Sequence, residues 1–171
     1  YSAGKKQTIL MDAGATDWSL QKNAEILGIF LDEIEEIVLS HGHYDHIGSL
    51  YGILQTSSCR IPVHLHPAAF AHRRKKCHDG SYTDLPILNR DKVAHAGGIL
   101  SLSTEPLLLC NQHILLTGEI ERVTSFEKGS VNLEAKEGNV FVKDSFRDDQ
   151  SLIFLVKDLG LVVISGCAHA G

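Results

Sequence analysis

The sequence predicts a single α/β domain, and three observations carry that prediction. Short apolar runs alternate with helical periods over the first seventy or so residues, the mark of strand-helix-strand units. From residue 98 to 165 apolar runs of strand length follow one another across turns. The chain has 171 residues with 43% hydrophobic content, enough for one buried core.

In order along the chain, residues 1–6 read as a hairpin turn feeding a first strand, "QTILM" at 7–11, which ends at Asp12-Ala13-Gly14. Asp12 therefore belongs at a strand's C-terminal end. From Asp17 to Phe30, Trp18, Leu20, Ala24, Leu27 and Ile29 recur loosely at helical period behind a cap at Thr16 or Asp17. Glu36 to Ser40 is the next strand. After it come the histidines of "HGHYDH", then Ile47, Leu50, Tyr51 and Leu54 on one helical face. "RIPVHL" at 60–65 is a further strand, and "HPAAFAH" a short helix whose Pro67 suits the first turn. Residues 73–88 are polar and read as irregular, with "HRRKK" at 72–76 a solvated loop. The runs 98–103, 106–110 and 113–117 read as antiparallel strands, and 121–147 as an extended loop over the site. Residues 151–165 form a hairpin turning at Lys157 to Gly160, which delivers Gly166, Cys167, Ala168 and His169. No repeat or linker divides residues 1–171.

The formal charge of -5, from 21 acidic and 16 basic residues, gives no broad basic footprint for nucleic acid or an anionic membrane. No apolar run reaches the roughly 18 residues a bilayer needs. A small-molecule substrate is the expected partner, with oligomeric state left open. Cys59, Cys77, Cys110 and Cys167 lie scattered, without the spacing of a disulfide framework or an all-thiolate zinc knuckle, so a reducing cytoplasm is expected. The chain opens without an initiator methionine and stops just after His169, and is expected to be a piece of a longer protein.

The histidine cluster carries the chemistry. At an extended strand end, residues i and i+2 project to one side, so His41 and His43 can reach one ion together, with Gly42 allowing close backbone approach. Asp45 and His46 emerge from the first turn of the following helix beside it. The spacing thus splits into two pairs, as a dinuclear centre requires. Imidazole and carboxylate donors favour zinc, with manganese or iron as alternatives. The chain's own residue frequencies give only about 0.002 chance matches to HxHxDH, so a polar turn formed by accident is a poor account.

"HGHYDH" resembles the HxHxDH signature of the metallo-β-lactamase superfamily, and "ILMDAG" resembles the strand ending in Asp-x-Gly that precedes it. "TGEI" at 117–120, "DDQSL" at 148–152 and "SGCAHAG" at 165–171 are similar to the branch of dihydropterin-methyl-ribofuranosylaminobenzene-phosphate synthase and its hydrolase relatives. The resemblance implies an αββα sandwich with a two-metal site at the strand ends. It implies that His41 and His43 bind the first metal, Asp45 and His46 the second, and that Asp12 braces the site from behind. It also requires a later third histidine. His169 fits best among His64, His66, His95, His113 and His169, because "LVVISGCAH" repeats the buried strand, serine and small residue of "EIVLSHGH". In that branch the chain runs on to further ligands of the second metal, so the sandwich here is expected to be incomplete at its C-terminal end and at its N-terminal end as well.

The implied activity is hydrolysis by a metal-bound hydroxide on a small substrate, phosphorylated or pterin-related in the narrower branch, with Asp45 both binding metal and orienting the attacking oxygen. A nucleic-acid-processing member, a redox member and a non-catalytic metal-binding remnant are the alternatives. Glu119 is either a substrate contact or a turn carboxylate, Cys167 either a metal-site thiol or a small buried filler, and Asp148 and Asp149 either brace a ligand histidine or cap a turn.

Overall fold

The structure, a computed structural model, describes residues 6–127 and 129–169, so nearly all of the turn expected at 1–6 lies outside the described residues. Strand β1 (Ile9–Met11) leads to helix α1 (Asp17–Leu27). Thr16 caps α1 by accepting from the Ser19 amide, and Gly28 ends it at φ 65°, so that its last residue, Leu27, falls three residues before the expected Phe30. A 3-10 turn (Leu31–Glu33) then enters β2 (Glu36–Val38), which is followed by α2 (Tyr44–Ile47), α3 (Leu50–Thr56) and β3 (Ile61–Leu65). The expected face is real: Ile47, Leu50 and Leu54 are buried.

A second 3-10 turn (Pro67–Phe70) precedes β4 (Arg73–Lys76), β5 (Tyr82–Asp84), α4 (Arg90–His95) and β6 (Gly98–Leu102). Then come β7 (Leu107–Leu109), β8 (Ile114–Leu116), β9 (Leu133–Glu137), β10 (Val140–Lys143), β11 (Ser151–Val156) and β12 (Gly160–Ser165). These strands make three sheets, in the orders β1-β2-β3-β6, β12-β11-β8-β7 and β10-β9-β4-β5.

Two expectations are overturned. Residues 98–102 pair parallel with β3, because α4, capped by the Asn89 side chain on the Lys92 amide, supplies the crossover that a parallel neighbour needs. Residues 73–76, 82–84, 133–137 and 140–143 are not loop but a small antiparallel sheet. β4 and β5 show no apolar alternation, being Arg-Arg-Lys-Lys and Tyr-Thr-Asp, whereas β9 does alternate, Leu133 and Ala135 against Glu134 and Lys136, and β10 opens on three apolar residues.

The parallel sheet has two dry faces. Leu10, Ile37, Leu39, Val63 and Leu65 pack against the helices, while Ile9, Met11 and Val38 pack on Leu109, Leu116 and Leu152 of the β12-β11-β8-β7 sheet. On the far side of that second sheet Leu108, Leu155, Leu161 and Val163 are exposed, so the described residues form helices, sheet and sheet in three layers. No helix among the described residues is long and apolar enough to cross a membrane.

Strand ends converge at one edge. Asp12 follows β1, the histidines follow β2, and Gly166 to His169 follow β12, whose last residue pairs with the first of β11. Gln150 ties the sheets together there: its amide donates to the Ser40 carbonyl at 3.0 Å and its side chain to the Leu39 carbonyl at 2.8 Å.

Candidate metal centre

Asp12 has φ 63°, a left-handed backbone conformation that an aspartate tolerates better than most residues. That turn aims its carboxylate back under the histidine loop. Oδ1 accepts from the Ser40 amide at 2.7 Å, and Oδ2 accepts from the Ser40 hydroxyl and from His46 Nδ1, both at 2.7 Å. With its own proton given to Asp12, the Ser40 hydroxyl is left to accept from His41 Nδ1 at 2.9 Å. On the other side His43 Nε2 lies 3.3 Å from Asp144 Oδ2. Each of these three imidazoles therefore carries its proton on the outer nitrogen, which leaves a bare lone pair pointing inward.

The inward atoms meet. His41 Nε2 and His43 Nδ1 are 3.0 Å apart, and His46 Nε2 is 3.0 Å from Cys167 Sγ. One donor atom each from His41, Cys167 and His169 falls within 4.8 Å of the others. His169 stacks on Phe146 with ring centroids 3.9 Å apart, and its buried Nε2 has no hydrogen-bond partner. Asp45 stands half exposed at the rim, its carboxylate 3.8 Å from His46 Nε2. Facing lone pairs, a partnerless buried nitrogen and a thiol form a donor set that fits a divalent ion such as zinc.

The electrostatics favour the unprotonated form of His41 and His169 and the protonated form of His46 and Cys167. Burial, then the neighbouring His43, His46 and His169, push the His41 pKa down to about 2. Burial and His43 lower that of His169 to about 4. For His46 burial works downward too, but the hydrogen bond and charge of Asp12 outweigh it and its pKa rises. The Cys167 thiol is pushed up by burial and by Asp45, Asp149 and Asp12, so without a cation it keeps its proton.

Behind the histidines lies a group that the sequence did not announce. Arg73, the first residue of β4, is only 3% exposed and joins two buried carboxylates: Nε donates to Asp144 Oδ2 at 2.8 Å and Nη2 to Asp148 Oδ1 at 2.7 Å. Asp148 Oδ2 in turn accepts from the Gly42 amide at 2.7 Å. The trio thus holds the loop at its backbone through Asp148 and at the His43 ring through Asp144. Burial alone would raise the Asp144 pKa, but His43 and Arg73 hold it well below the usual carboxylate range. The first residue of "RRKK" is therefore no solvated loop residue, and Asp148 is a brace and not merely a turn. Two glycines let the pieces close: a Cβ on Gly42 would lie 2.1 Å from the Ala69 carbonyl oxygen, and one on Gly166 2.1 Å from Ser40 Oγ.

Of the other histidines, His64 points between the sheets onto Glu36 at 2.9 Å, and His66 accepts from the Ala68 amide and faces Glu119 at 3.3 Å. His95 hydrogen-bonds the Asp91 carbonyl within α4, and His113 immediately precedes β8, at the end away from the site. None joins the cluster. Glu119 is held by Arg147 Nε at 3.1 Å, which lowers its pKa.

A cavity of about 650 Å³ opens over the cluster, with His43, Asp45, Cys167 and His169 among its walls and the β10-β9-β4-β5 sheet on its far side.

The model of the metallo-beta-lactamase superfamily matches residues 3–157 of this sequence. The chain is similar to 7,8-dihydropterin-6-methyl-4-(beta-D-ribofuranosyl)-aminobenzene-5'-phosphate synthase of Methanocaldococcus jannaschii, with 31% identity over 99% of this chain and 58% of that protein. It is 28% identical to an uncharacterised protein of the same organism, over 95% of this chain and 59% of the other. The chain thus spans just under three fifths of these relatives' length. Among solved structures it is similar to Tm1679, a metal-dependent hydrolase of the beta-lactamase superfamily, with a TM-score of 0.72, 27% identity, and 96% of this chain and 57% of that one covered. A quorum-quenching N-acyl homoserine lactone lactonase shares the fold at a TM-score of 0.51 and 13% identity, over 91% of this chain and 54% of its own.

Proposed function

Because the chain belongs to the metallo-beta-lactamase superfamily, we propose that it carries the metal-binding part of a metal-dependent hydrolase acting on a small, phosphorylated or pterin-related substrate. The observation that carries this reading is the convergence of bare imidazole nitrogens whose outer nitrogens are all occupied. In this assignment His41, His43 and His169 hold one divalent ion and Asp45 and His46 a second, with Cys167 beside both. Zinc suits the imidazole and thiol donors best. Bound there, divalent ions would supply Lewis-acid polarisation of the substrate and acidify water.

The chain's own residues do the rest. Asp12, Ser40 and Asp144 fix which nitrogen of each ring bears the proton and hold the rings against rotation. Asp45, half exposed at the cavity edge, accepts the proton given up by the attacking oxygen. Tyr44, Leu85, Pro86 and Leu133 give the cavity apolar walls suited to a flat ring. The pterin and phosphate in the name of the Methanocaldococcus jannaschii relative agree with such a cavity. That relative is named a synthase and Tm1679 a hydrolase. For this chain we take water as the nucleophile, and the outcome is then hydrolysis.

Elemental analysis of the purified chain and of its His43→Ala variant tests the assignment. Two metals per chain, reduced in the variant, together with turnover of small phosphoesters or carboxyesters by the loaded chain, are the expected results. Equal metal content in both proteins would sink it.

A further inference from the structure

The first two basic residues of β4 are already engaged. Arg73 clamps Asp144 and Asp148, while Arg74 turns to the opposite face, where Glu134 takes its guanidinium at 2.7 Å. Alternation returns Lys75 to the face of Arg73, roughly 7 Å farther along the strand from the metal donors. Its cross-strand neighbours are Thr83 on β5 and Leu133 on β9, and all three line the cavity above His43, Asp45 and His169. Among the described residues Lys75 is the only lysine or arginine in that lining, and its ammonium has no hydrogen bond or ion pair there. A second hollow of about 400 Å³ adjoins it, shares Lys75, Thr83, Leu85 and Asn132, and adds Lys76 and His78. The cavity therefore grows more cationic away from the histidines.

Resting on the hydrolase reading above, we infer that Lys75 is the specificity-determining residue for a phosphate monoester carried on the substrate's far end, away from the bond that reacts. A lysine ammonium is a compact point charge with three donors, suited to a tetrahedral dianion that arrives with its own hydration. The acids nearby do not compete for it: Asp84 is paired with His72 at 3.0 Å, and Asp45 sits at the metal end. The apolar wall between the two ends, Leu85, Pro86 and Leu133, covers the body of the substrate.

Calorimetric titration of the metal-free chain with phenyl phosphate, and separately with phenol, tests this, because without metal Lys75 is the one lysine or arginine that the phosphate meets among the described residues of that lining. Loss of a charge-assisted hydrogen bond predicts about tenfold or more weaker phenyl phosphate binding in Lys75→Met, with Lys75→Arg recovering most of it and phenol binding unchanged. Equal phenyl phosphate affinity in wild type and Lys75→Met would overturn the inference. So would parallel loss of phenol binding in a variant that still melts like wild type, which would make Lys75 a matter of cavity shape. Zinc uptake by the same proteins is read independently: its absence in wild type sinks the hydrolase reading and leaves the phosphate result to stand or fall alone.

Discussion

Two regions grip the histidine loop from opposite sides, and they do it by different physics. The β1-β2-β3-β6 sheet holds it from below with strands that are dry on both faces, Ile37 and Val38 having no exposed surface at all. The β10-β9-β4-β5 sheet holds it from the side through one buried cation, Arg73, set between Asp144 and Asp148. The first grip is non-directional and distributed over many apolar contacts. The second is directional and concentrated in one guanidinium. The difference teaches where the histidine loop gets its position and where it gets its orientation: burial fixes how far β2 reaches, and the ion trio fixes which way Gly42 and His43 face.

The comparison predicts unequal losses. Arg73→Ala leaves two carboxylates buried without their cation, and breaking a buried pair in this way costs about 3–5 kcal/mol. Ile37→Ala removes buried apolar volume from β2 and costs about 2–5 kcal/mol. Urea unfolding measures both. If Arg73→Ala costs under about 1 kcal/mol, the trio is not a grip and the contrast collapses. A sharper outcome is metal uptake at matched folded fraction, which should weaken in Arg73→Ala and persist in Ile37→Ala, since only the former frees Asp144 from its place behind His43.

The same contrast explains what was legible in the sequence. β2 and β3 announce themselves through Ile, Val and Leu because burial on both faces selects such residues whatever they pack on, and β11 and β12 show the same apolar runs although their outer face, with Leu155, Leu161 and Val163, is exposed. His41, His43, Asp45 and His46 are adjacent in sequence, so their meeting needs only a strand end and a helical turn. His169 was readable because its strand repeats the pattern before His41, and the structure brings its ring within 5.0 Å of the His41 ring. Arg73 was not, because its two partners lie 71 and 75 residues away and nothing local distinguishes it from Arg74. Helix α4 was missed for a related reason: of "RDKVAH" only Val93 is buried, so it shows no apolar stripe.

Acid probes the loop that both grips hold. His41 in the folded chain has its pKa pushed down to about 2 from 6.5, so below pH 6.5 the unfolded chain binds a proton that the folded chain refuses. Stability therefore falls as pH drops from 6.5 toward 2, and His169 acts in the same direction between 6.5 and about 4. His46 opposes them: its raised pKa contributes stability that is present below 6.5 and lost as pH rises through the folded value. Between pH 6.5 and 5 the contribution of His46 is already in place, so His41 and His169 decide the sign, and the metal-free chain is expected to lose on the order of 2–3 kcal/mol there, from the roughly 1.4 kcal/mol per pH unit that each refused proton is worth. Urea midpoints across that range in wild type and in His41→Gln make the measurement. A profile that stays as steep in His41→Gln would remove that imidazole as the cause.

The smallest effect sits one residue from the largest. Arg74 also bears a guanidinium on β4 and also meets a carboxylate, Glu134, but a quarter of each side chain remains exposed. Its guanidinium lies 3.8 Å over the Tyr82 ring and 3.9 Å over that of Phe141, contacts that survive loss of the acid. Water can solvate what Glu134→Ala leaves behind, so the expected loss in urea unfolding is under about 1 kcal/mol. Metal uptake should not change, because nothing on that face touches the histidines. The two arginines thus share a strand, a charge and a kind of partner, and differ in access to water, in the number of carboxylates each meets and in the rings under Arg74. If Glu134→Ala cost as much as Arg73→Ala, burial would not be what gives the Arg73 trio its strength, and the grip would belong to the small sheet as a whole.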